Sequence, residues 1–105
     1  MKLLSMACLG LAAIATVAFA ADVPVSQKNQ TFSSLALTVH VGDKVMFEND
    51  DTVTHNITVK GSDGDADDLG LQKPGQKLGY KFETKGVYRV ICSIHPRMKM
   101  TVTAQ

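Results

Sequence analysis

From residue 35 onward, apolar and polar positions alternate with a period of two, the spacing of strands that rest one face on a core. In "SLALTVHV", Leu35, Leu37, Val39 and Val41 share one face, and Ala36, Thr38 and His40 the other. Gly42 and Asp43 make a turn, and "KVMFEN" follows with Val45 and Phe47 inward. Asn49 to Asp51 turn again, after which "VTHNITVK" aligns Val53, His55, Ile57 and Val59. Later runs align Leu78, Tyr80 and Phe82, then Tyr88, Val90 and Cys92, then Met98, Met100, Val102 and Ala104. Residues 61–77 are polar, glycine-bearing and nearly aperiodic, so they read as a long loop, the one place with room for a short helical turn. Short strands, closely spaced turns and no convincing helix predict one all-β domain, a sandwich or barrel, over residues 21–105.

The first twenty residues break this pattern. Lys2, the apolar run Leu3 to Val17 and the small-x-small triplet Ala18-Phe19-Ala20 form the signature of a secretory signal peptide, and the run is short for a bilayer span. A leader over residues 1–20 predicts export to the periplasm or a comparable compartment, with no membrane insertion after cleavage. Of eleven basic residues the leader removes Lys2, leaving ten against ten acidic. That balance argues against nucleic acid or an anionic membrane as an obligatory partner. The charges are unevenly spread: Asp63, Asp65, Asp67 and Asp68 cluster, whereas Lys73 to Lys99 carries seven basic residues against Glu83.

Cleavage also removes Cys8 and leaves Cys92 alone. No internal disulfide is then possible, and an unpaired thiol in an oxidising compartment calls for burial, catalysis or a metal. Cys92 opens the stretch "CSIHPRMKM", which adds His95, Met98 and Met100 within nine positions. Methionine and cysteine are common core residues, and a plain β-sandwich interaction module would need nothing more. A thiol enzyme would use Cys92 with His95 as base, but no orienting Asp or Asn and no oxyanion-type glycine cluster stands nearby in sequence. The strand pattern turns His55 inward and leaves His40 on a polar face. Two imidazoles and a thiolate with a weak thioether are the ligands of a blue copper electron-transfer site.

At these residues the sequence resembles the cupredoxins, small blue copper proteins, over nearly all of residues 21–105. The likeness rests on "VGDKVMFENDD", on His55-Asn56, and on "GYKFETKGVYRVICSIHPRM". The C-x-x-H-P-x-M loop is nearest to that of the amicyanin branch, with a secondary likeness to pseudoazurin and plastocyanin. Thr54 departs from the proline that relatives often carry before the histidine. The resemblance implies a Greek-key β-sandwich of seven to eight strands and one type 1 copper. It implies equatorial ligands His55, Cys92 and His95, and an axial methionine. Amicyanin-like spacing selects Met98 for that place; plastocyanin-like spacing would select Met100. Asn56 would tie the His55 strand to the Cys92 loop. The implied function is that of a monomeric, non-enzymatic carrier of single electrons between redox partner proteins, with His95 as the exit and Arg97, Lys99 and Lys73 as a basic rim. The alternative is a periplasmic copper carrier or buffer with the same ligands.

Overall fold

The structure is a computed structural model that describes residues 19–105. The leader expected over residues 1–20 lies outside the described residues, its last two excepted. Nine strands follow in order: β1 (Asp22–Lys28), β2 (Thr31–Phe32), β3 (Ala36–Val39), β4 (Lys44–Asn49), β5 (His55–Lys60), β6 (Ala66–Gln72), β7 (Lys77–Lys81), β8 (Gly86–Cys92) and β9 (His95–Ala104). One sheet runs β2-β1-β4-β7 and the other β3-β9-β8-β5-β6. The pairs β1/β4 and β3/β9 are parallel and the remaining pairs antiparallel. The all-β sandwich read from the alternation is therefore the fold.

Between the sheets lie Val25, Phe47, Ile57, Val59, Val90 and Val102, each almost or wholly without exposure. Their alternation with exposed neighbours is what the period of two requires. Three sequence expectations are corrected. Residues 61–77 contain strand β6 rather than a helical turn. β6 pairs with β5 on one side only and is a sheet edge, where a strand keeps polar residues on both faces and loses its periodic signature. Leu35 and Val53 fall outside the strands and are exposed, at 78% and 37%. The third correction is the count: β6 and the two-residue β2 bring the described strands to nine.

β1 and β4 end, β5 begins, β8 ends and β9 begins at the same end of the sandwich, which collects three turns. The first joins Lys28 to Thr31 through Asn29 and Gln30, both at positive φ (53° and 55°). That is the geometry of the two-residue turn whose twist suits a hairpin. Asn tolerates it; Gln30 is held there at a cost of roughly 1–2 kcal/mol. The second turn runs from Asp50 to Thr54, and the third, Ser93-Ile94, lets Cys92 pair directly with His95. A register shift in β5/β6 is absorbed by Gly70 at φ 90°, a conformation that glycine adopts without steric cost. Gly70 accepts a hydrogen bond from Asn56 Nδ2 through its carbonyl at 3.0 Å.

Candidate metal centre

His55 is the first residue of β5 and is wholly buried. Its two ring nitrogens face different partners: Nε2 lies 2.9 Å from Asp51 Oδ2, and Nδ1 lies 3.1 Å from His95 Nδ1. A carboxylate at Nε2 holds the proton on that nitrogen and leaves the Nδ1 lone pair free to bind a metal. Asp51 is itself fixed. The N–H of the strained Gln30 donates to its Oδ2 at 2.8 Å, and this bond, followed by the His55 contact, lowers its pKa to about 2. The carboxylate is thus an anion at any ordinary pH, and the tight hairpin aims a backbone donor at it.

Cys92, the last residue of β8, is buried, and its Sγ accepts a hydrogen bond from Asn56 N at 3.2 Å. Asn56 clamps the region from several directions. Its Oδ1 accepts from Ser93 N at 3.2 Å and from Thr58 Oγ1 at 2.7 Å, and its Nδ2 donates to Asp68 Oδ1 at 2.7 Å. Asn56 therefore ties the His55 strand to the Cys92 turn.

Cys92 Sγ is 3.8 Å from His55 Nδ1 and 3.6 Å from His95 Nδ1. A triangle with sides of 3.1, 3.6 and 3.8 Å has one point equidistant from its corners, about 2.0 Å from each, against about 2.0–2.1 Å for a zinc–imidazole bond and about 2.3 Å for zinc–thiolate. The two imidazoles and the sulfur thus already stand at metal-binding separation. The soft thiolate beside two borderline nitrogens fits copper in both oxidation states. Among the described residues these three form the one cluster of His, Cys, Asp or Glu side chains with metal-binding spacing.

Met98 and Met100 are both buried and inward on β9, as the alternation predicted. Met98 borders a surface pocket with His95, Gln30 and Ile94. Met100 lies opposite Val90, two positions down β8 from Cys92 and inside the core. His40 is exposed at the far end, where its N–H donates to Asp43. Arg97 and Lys99 are exposed, and Arg97 borders the same pocket as His95. Sequence reading passed over Asp51, Asn49, Gln27 and Gln72. The aspartate four positions before His55 was a usable signal, since a metal-binding histidine usually gives its other ring N–H to a carboxylate or carbonyl.

The model of copper binding proteins of the plastocyanin/azurin family matches residues 19–105. The chain belongs to that family. Among solved structures, this cupredoxin is 29% identical to a novel purple cupredoxin from Nitrosopumilus maritimus, covering 80% of this chain and 100% of that one with a TM-score of 0.71. A mutant of amicyanin in its reduced Cu(I) form is 27% identical over 87% of this chain and 88% of its own (TM-score 0.73). Amicyanin from Paracoccus versutus, at 23% identity over 80% and 81%, shares the fold with a TM-score of 0.73. No curated protein sequence matches the chain. Family and donor chemistry together give one type 1 copper as the cofactor.

Proposed function

We propose that this cupredoxin is an exported, monomeric, non-enzymatic carrier of single electrons whose copper is held by His55, Cys92, His95 and Met98. The copper supplies one-electron chemistry by changing between Cu(I) and Cu(II). The protein's task is to keep the ligands from moving when that charge changes, because rearrangement slows electron transfer. One observation carries the reading: three donors from three strands lie at metal-binding separation, and two are held by bonds that do not involve a metal. Asp51 orients His55, Asn56 N–H supports the sulfur, and Asn56 Oδ1 pins the turn between Cys92 and His95.

Met98 is favoured as the axial thioether because it borders the pocket beside His95, whereas Met100 lies two residues deeper along β9, about 7 Å for a strand. His95 is half-buried while His55 is wholly buried, so His95 is the ligand through which an electron would leave toward a redox partner. Exposed Ile94 and Pro96 flank it, beside Arg97. The leader pattern supports a periplasmic location.

Cyclic voltammetry and self-exchange measurements on the copper-loaded protein test the reading. Reversible one-electron cycling with fast self-exchange is the expected result. Slow exchange together with ready surrender of copper to an acceptor would favour a copper carrier or buffer instead.

A further inference from the structure

The metal end of the sandwich buries a polar side chain that no hydrogen bond accounts for. Gln27 has no exposure, and neither its amide nitrogen nor its carbonyl oxygen has a partner. Its neighbours are better engaged: Asn49 Nδ2 donates to the carbonyls of Val53 and Gln72, and Gln72 Nε2 donates to those of Phe47 and Gln76, although Gln72 Oε1 has no partner either. A buried, unpaired amide forfeits its hydration without return, and an apolar side chain of the same shape would make the fold more stable. Gln27 therefore stands where stability alone would select a leucine.

Its position points to the metal centre. Gln27 lies on the inward face of β1, in register with buried Asn49 and Phe32 and two residues beyond buried Val25. Its backbone carbonyl accepts a hydrogen bond from Asp50 N, next to the aspartate that holds His55. Three residues on, Gln30 donates to that aspartate and borders His95 and Met98. On the facing sheet, the buried side chains at this end include His55, Cys92 and Met98, with Gln72 in register with His55. Packed sheets stand about 10 Å apart, a gap that side chains from both sides fill together.

Building on the copper reading above, we propose that Gln27 tunes the metal centre: its carboxamide is a dipole free to turn, whose oxygen faces the centre when the centre carries positive charge. A thiolate and two neutral imidazoles leave one net positive charge on the Cu(II) form and none on the Cu(I) form. In a low-dielectric interior an unpaired dipole responds strongly to that difference. Gln27 thus stabilises the oxidised form over the reduced one, at the expense of the metal-free fold.

The test compares wild type with Gln27→Leu and the shorter amide Gln27→Asn. In Gln27→Leu the metal-free protein should melt at a higher temperature. Its preference for Cu(II) over Cu(I) should fall several-fold, read as a higher reduction potential, and Gln27→Asn should lie between. A rise in metal-free stability with an unchanged potential would overturn the proposal and leave Gln27 a merely unpaired amide. Wild-type protein alone gives a second measurement, NMR of side-chain amides in the Zn(II) and Cu(I) forms, both diamagnetic but one charge apart. The Gln27 resonances should move between the two forms while the hydrogen-bonded Asn49 amide holds; equal movement would count against the proposal. Failure of wild type to give a one-to-one copper band would instead bring down the copper reading on which this rests.

Discussion

The two ends of the sandwich are built on opposite plans. At the end away from the metal centre, Tyr80, Phe82 and Tyr88 stack edge to face with both centroid separations at 4.9 Å, an arrangement that adds to simple burial. Tyr88 OH closes the corner on Thr84 O. Burial, then a hydrogen bond to Asp67, pushes the Tyr80 hydroxyl well above the ordinary phenol range, so it stays a neutral donor. At the metal end, the inward positions of strand ends are filled by Gln27, Asn49, His55 and Gln72, all without exposure. Such positions would stabilise more with leucine or valine. One end supplies stability and the other supplies geometry, so substitutions at the two ends should separate folding from metal chemistry.

The largest effect tests the metal end. Cys92→Ala should abolish the visible copper band while circular dichroism still reports a β-sandwich. Phe82→Ala at the other end should cost about 3–5 kcal/mol by urea unfolding, and the protein that remains folded should keep its copper spectrum. Loss of fold in the first variant, or an altered spectrum in the second, would break the comparison.

Asp51→Asn should weaken metal affinity about ten- to a hundred-fold in a competitive titration, because the tautomer and orientation of His55 are then no longer held by a carboxylate. Met98→Leu should shift the potential and colour more than Met100→Leu; the reverse would move the axial ligand to Met100.

The smallest effect lies at the far end. Asp43 accepts hydrogen bonds from Ala21 N–H and His40 N–H, which hold its carboxyl below the usual value of 3.8. A carboxyl whose folded pKa is depressed contributes stability above its unfolded pKa and loses it as pH falls through the folded value. Asp43→Asn should therefore flatten the acid limb of metal-free stability below about pH 4 and leave the spectrum at neutral pH unaltered.

How far the fold was legible follows from where one face is buried. β4, β8 and β9 bury alternate residues against the facing sheet, so Val45, Phe47, Val90, Cys92, Met98 and Met100 announced themselves by period. β6 did not, because an edge strand is free to be polar on both faces, and its seven residues look like loop. The apolar Leu35 and Val53 misled, since single exposed apolar residues are ordinary on protein surfaces. At the candidate site, the spacing of Cys92, His95 and the methionines was legible because one turn carries them, and strand parity added His55. Gln30 and Gln27 were not, and Asp51 offered only its spacing of four before His55, because their roles come from a hairpin and a turn meeting in space, which no period in the sequence records.

The central claim is that the cleft between His55, Cys92 and His95 is a type 1 copper site. Titration of the purified metal-free protein with Cu(II), followed optically and by metal analysis, tests it most directly. The account predicts an intense visible thiolate-to-copper band that saturates at one copper per chain. Weak binding without that band, lost to ordinary chelators, would contradict it.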